Sequence, residues 1–151
     1  MSLLTKAIVG ILLLTGIRFQ TFGQATDSFP PGTVWTFPQF FFELGSDSIR
    51  DNCKMLLDLI AKDILKQDSF KVEVGVHTDE RFNEEYSTCL SCKRAETLRN
   101  YLILRGIPAN SIVANGYNGT DPVIQNAQTE EEHQQNRRVT IRFLSQKRAT
   151  K

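Results

Sequence analysis

The segment HTDERFNEEYSTCLSCKRA, residues 77–95, concentrates side chains able to do chemistry: His77, the carboxylates Asp79, Glu80, Glu84 and Glu85, the thiols Cys89 and Cys92, and the cations Lys93 and Arg94. Ser91 is suited to cap a helix, which would set Lys93 and Arg94 in its first turn. The aligned peptide dipoles leave that turn partly positive, so a cation there is unfavourable by roughly some tenths of a kcal/mol unless an anion lies near. A negative group is therefore expected beside Arg94.

Cys89 and Cys92 form C-x-x-C, and a thiol near a helix start can have the lowered pKa that a thiol–disulfide oxidoreductase needs. The redox motif normally opens a helix directly behind a strand with both cysteines, whereas here Ser91 lies between them. In an exported protein the pair could instead close a small disulfide, or remain as free thiols. All three states stay open at this point. His77 and His133 are far apart and lack a matching ligand set, so neither a metal nor a cofactor is expected. The four carboxylates of one loop do not establish a hydrolase, because a glycosidase needs two acids at a defined separation across a sugar.

The elements that must position these groups follow from periodicity. Residues 34–44 (VWTFPQFFFEL) are aromatic and β-prone, with Pro38 demoting the first half to an edge or a bulge. Ile49, Cys53, Leu56, Leu57, Ile60 and Ile64 fall on one helical stripe behind Ser46, Asp47 and Ser48 as candidate caps. Cys53 on that stripe reads as a small buried hydrophobe. Phe70, Val72, Val74 and Val76 alternate with Lys71, Glu73, Gly75 and His77, a strand with a covered face and a wetter one that carries His77. A second helix from Ser91 turns Ala95, Leu98 and Leu102 inward and stops at Gly106 and Pro108. Residues 111–115 form a third strand. A polar excursion with a helical turn near Thr129 places His133 in a loop, and Val139, Ile141 and Phe143 mark the last strand. Amphipathic strands alternating with helices predict an α+β fold with a mixed four-stranded sheet and helices on one face only.

At 151 residues, 40% hydrophobic and 23% charged, the chain has the composition of one soluble domain. Lys6 followed by an uncharged run over residues 7–17, then Thr21 and Gly23, reads as a secretory signal peptide over residues 1–23, the run being shorter than the roughly 20 residues a membrane span needs. Its removal takes away Lys6 and Arg18 and no acid, leaving 16 cations against 17 acids. A nucleic-acid partner is not expected at that balance. No cysteine near the cleavage point offers a lipid acceptor, and no series of strands long enough for a transmembrane barrel is visible. Residues 24–33 read as a linker, 34–145 as the folded domain and 146–151 as a basic tail.

The blocks HTD (77–79), YSTCLSCKRA (86–95), YLILRGI (101–107), NGYNGTDP (115–122) and TEEEHQQNRRVTI (129–141) together resemble the OmpA-like peptidoglycan-binding domain, in the family's order and over nearly all of the mature chain. The resemblance implies a β-α-β-α-β-β sandwich that binds peptidoglycan noncovalently, without catalysis, through the diaminopimelate of the stem peptide. It also implies a place in the periplasm of a Gram-negative-type bacterium, at the cell wall or outer membrane, with outer-membrane proteins as further partners. Carried over by position, the family's binding aspartate falls on Asp79 and its binding arginine on Arg94. Arg137, the first arginine of N-R-R-V, lines the same pocket, Thr78 is a hydroxyl contact, and Ser87 stands at the family's pocket asparagine. The side-chain terminus of diaminopimelate is a zwitterion, so a site needs an anion for the ammonium and a guanidinium for the carboxylate. Against this stand an exposed Asp79–Arg94 salt bridge without a ligand, the oxidoreductase reading of Cys89 and Cys92, and an OmpA-like domain turned to protein interaction.

Overall fold

The computed structural model describes residues 29–38, 41–67, 70–79, 81 and 84–144, and for residues 84–89 the backbone alone. The expected signal peptide and basic tail, and the first half of the expected linker, lie outside the described residues. In chain order come β1 (Val34–Pro38), α1 (Asp51–Leu65), β2 (Val72–His77), α2 (Glu84–Leu104), a 3-10 turn (Ala109–Ser111), β3 (Ile112–Asn118), α3 (Glu130–Asn136) and β4 (Arg138–Phe143).

The sheet is mixed, in the order β1-β4-β2-β3. β4 runs antiparallel to both β1 and β2, while β2 and β3 are parallel and joined across α2. One face carries the core, where Trp35, Phe37, Val72, Val74, Val76, Ile112, Val139, Ile141 and Phe143 meet Leu57, Ile60 and Ile64 of α1 and Ala95, Leu98 and Leu102 of α2. Cys53 belongs to that core at 3% exposure, and burial raises its thiol pKa.

Several boundaries differ from the periodicity reading, and β3 runs from Ile112 to Asn118 rather than over residues 111–115. β1 stops at Pro38, which cannot donate to a ladder and lies on an edge strand. Ser46 and Ser48 do not cap α1, whose start at Asp51 follows Arg50 with no side-chain cap. They close a turn instead: Ser46 Oγ accepts from the Ser48 N–H at 3.0 Å, and the Phe42–Ile49 bridge folds the segment back on itself. Gly45, at φ +66°, supplies the left-handed residue this turn requires.

The largest difference is in α2, which begins at Glu84 rather than behind Ser91. Glu84 and Glu85 are residue types that suit a helix start. Its end is as expected: the Ile107 N–H reaches the Leu102 carbonyl and the Gly106 N–H that of Ile103, with Gly106 at φ +101°.

α2 packs closest where Gly116 of β3 meets it. A Cβ at Gly116 would stand 2.4 Å from the Cys92 backbone N and 2.6 Å from Ser91 C. Backbone cannot rotate away as a side chain can, so Gly116→Ala is expected to destabilise the fold by about 2 kcal/mol through forced separation of α2 from β3. Urea unfolding measures this, and a change below about 0.5 kcal/mol would show that the helix can shift freely.

Candidate functional site

At the ends of the parallel strands the ladder slips: Val76 pairs with Gly116 but His77 with Asn118. The slip hands Thr78 to the next element. Its N–H donates to the Asn118 carbonyl at 2.9 Å, and the Asn118 N–H in turn approaches Ser91 Oγ at 3.3 Å. Ser91 is fully buried inside α2 and ties the helix to the strand ends, a role its type could not disclose.

The next residue, Asp79, is the centre of a charge network. Its side chain is fully covered, and its Oδ2 accepts from Arg81 Nη2 at 2.8 Å and from Arg137 Nη1, while Oδ1 accepts from the Arg81 backbone N–H at 3.2 Å. Both guanidiniums turn their other edge to Glu130: Arg81 Nη1 lies 2.8 Å from Oε2, and Arg137 Nη2 bonds Oε1. Burial works against the charged form of Asp79. The hydrogen bonds from Arg81 and Arg137 more than offset it, so the carboxyl is held below the usual carboxylate range. The same two arginines bring Glu130 down to about 2.

Arg137 and Asp79, 58 residues apart, are thus brought together as expected. Arg94 is not placed as expected. It sits in the third turn of α2, beyond the positive end of the helix, so the anion demanded by a first-turn position is not needed. Among the described residues, the Asp79 carboxylate pairs with Arg81 and Arg137 rather than with Arg94. Arg94 Nε donates to the Ser46 carbonyl at 2.8 Å and Nη2 approaches that of Glu43 at 3.4 Å, with the guanidinium 5.0 Å from the centre of the Phe42 ring. Thr78 is buried at 4% exposure, and among the described residues its hydroxyl has no hydrogen-bond partner. Ser87 and Cys89 lie on α2 with side chains outside the described residues, and Cys92 is a free, exposed thiol.

Arg81 and Glu130 were missed in the sequence. A signal existed for each: Arg81 follows Asp79 by two, and Glu130 precedes Arg137 by seven, two helical turns along one face.

His77 is also placed differently. It is 1% exposed rather than on a wet face, stacked on Tyr117 at 4.6 Å, with Nε2 3.4 Å from Thr140 Oγ1 and Nδ1 3.5 Å from Asp121. β2 is a central strand, and long side chains of its neighbours close over it. Gly75 permits this, since a Cβ there would meet Thr140 Oγ1 at 2.4 Å and Tyr117 at 3.0 Å. Burial foremost, then Arg138, lowers the His77 pKa to about 4 against the pull of Asp121. His133 lies within α3 rather than in a loop, behind a capping box between Thr129 and Glu132. Among the described residues no group of three or more His, Cys, Asp or Glu converges to hold a metal ion, and no helix is long and apolar enough to cross a membrane.

Residues 41–137, which span every part of this network, match the family model described as the OmpA family. The chain belongs to the OmpA family. Among its relatives, the peptidoglycan-associated lipoprotein of Rhizobium meliloti is 34% identical over 91 residues, 60% of this chain and 52% of that one. The OmpA-family chain thus spans about half of the length of that relative. Two solved structures are similar to it. The periplasmic domain of Helicobacter pylori MotB superposes with a TM-score of 0.68 at 26% identity, over 81% of this chain and 82% of that one. The peptidoglycan-associated lipoprotein from Burkholderia pseudomallei gives 0.60 at 29%, over 68% and 86%. The α+β fold with its mixed sheet is therefore that of OmpA-family domains, and HTD and N-R-R-V are the two motifs whose side chains meet at Asp79 and Arg137.

Proposed function

We propose that this chain binds peptidoglycan noncovalently and without catalysis, in the periplasm of a Gram-negative-type bacterium, tethering envelope components to the wall. The observation that carries the reading is the charge cluster at Asp79: a fully covered carboxylate held ionised beside the guanidiniums of neighbouring Arg81 and of Arg137, 58 residues away. Such a cluster suits an amino-acid zwitterion, the chemistry of the diaminopimelate side-chain terminus. Asp79 accepts from the ammonium, and Arg94 and Arg137 take the carboxylate. Thr78, whose buried hydroxyl is unpartnered among the described residues, donates to it, and Ser87 is a further contact by its position in the family motif. The helical turn after Ser91, which is tied through Asn118 to Thr78, carries Arg94. The relatives' names, peptidoglycan-associated lipoproteins among them, support the same reading. The oxidoreductase alternative loses its footing because Cys92 is not at a helix start.

Titration of a diaminopimelate-containing muropeptide against the mature domain tests this, with a lysine-containing peptide as control. The expected result is saturable binding of the first at least about tenfold tighter than of the second, since the lysine side chain offers an ammonium and no carboxylate. Equal affinities would remove the zwitterion from the mechanism.

A further inference from the structure

We propose that Glu130 is an internal competitor for the ligand's carboxylate, occupying the guanidiniums of Arg81 and Arg137 until a zwitterionic head displaces it. The inference rests on the wall-binding reading and adds to it a residue that sets how tightly a carboxylate is held.

Each guanidinium presents one edge to Asp79 and the other to Glu130, so two arginines lie between two carboxylates and the four charges cancel. An ammonium arriving alone would add a cation to a set in which Asp79 already accepts three N–H bonds. It has nothing to offer the arginines in exchange. A head that brings its own carboxylate can replace Glu130 group for group and keep the arginines satisfied.

The two carboxylates are not equally able to yield. The side chain of Asp79 is wholly buried, whereas that of Glu130 is 62% exposed and can turn into water. Exposed ion pairs of this kind are weak, so the exchange is easily made. Arg137 keeps its place when Glu130 leaves, because Gln134 Oε1 accepts from its Nε at 3.2 Å and its Nη2 at 2.8 Å. Glu130 therefore lowers the affinity for every carboxylate that would take its place on Arg81 and Arg137.

The test is Glu130→Ala, read by the side-chain Nε–H resonances of Arg81 and Arg137 during titration with acetate, and by calorimetry with the diaminopimelate muropeptide. Acetate is expected to perturb both arginines in the variant at a concentration at least about fivefold lower than in the unaltered protein. The muropeptide is expected to bind the variant about three- to tenfold tighter, the effect of removing a competitor whose own carboxylate is largely in water. Equal acetate responses, or weaker muropeptide binding by the variant, would overturn the proposal. A muropeptide that binds neither protein would remove the wall-binding reading, while the acetate result would still decide the role of Glu130. Glu130→Gln, which removes the charge and keeps the length, should show the same direction and controls for a folding defect.

Discussion

Asp79→Ala is expected to weaken binding of the diaminopimelate muropeptide by about a hundredfold and to abolish cosedimentation with purified wall sacculi. The magnitude follows from burial: truncating one partner of a covered, hydrogen-bonded charge pair commonly costs about 2–5 kcal/mol of binding, and a hundredfold lies at the lower part of that range. Two effects act together. The ammonium of the ligand loses its acceptor, and Arg81 and Arg137 lose the carboxylate that holds them in register. Both arginines retain Glu130, so the fold should persist, which circular dichroism verifies. Asp79→Asn separates charge from shape, because the amide fills the same volume without the negative charge. If both variants bind within about threefold of the unaltered protein, Asp79 is a structural anchor for Arg81 and Arg137 and the site must be sought elsewhere.

Acid should weaken the fold through His77. Its pKa is about 4 in the folded chain against about 6.5 when free of the fold. Between those values the unfolded chain binds more protons, so this contribution is complete above pH 6.5 and is lost as pH falls toward 4, by up to about 3 kcal/mol. The groups facing the ring account for the direction. Tyr117 of β3 covers it, Thr140 of β4 meets its Nε2, Arg138 and Arg142 of β4 oppose a second positive charge, and Asp121 alone favours it. Urea unfolding across pH 4 to 7 measures the loss, and the difference from His77→Gln isolates it from the carboxylates. Direct titration of the ring by NMR provides an independent reading. A midpoint above about 6 would show that water reaches the ring and that the buried cluster opens.

Most of the architecture was legible because its signals are local. The alternation of Val72, Val74 and Val76, the stripe of Leu57, Ile60 and Ile64, and the Gly106 stop each act within a few residues, and each is found in the structure. The start of α2 was misread for an equally physical reason. Ser91 has the chemistry of a cap, but its hydroxyl accepts from Asn118, a residue 27 positions away that no local pattern connects to it. That error moved Arg94 into a turn it does not occupy and made an anion seem necessary.

The chain alone determined the order of strands and helices, the family blocks and the choice of Asp79 and Arg137 as candidate site residues, since periodicity and motif spacing are properties of the linear sequence. Only the tertiary structure decided what those residues touch. It joined Asp79 to Arg137 across 58 positions, placed Arg81 and Glu130 around them, turned Arg94 toward the carbonyls of Ser46 and Glu43, and buried His77 beneath Tyr117. The reason lies in the sheet order β1-β4-β2-β3: inserting the last strand beside β2 brings the segment that precedes it against the loop that leaves β2, and charges far apart along the chain become neighbours.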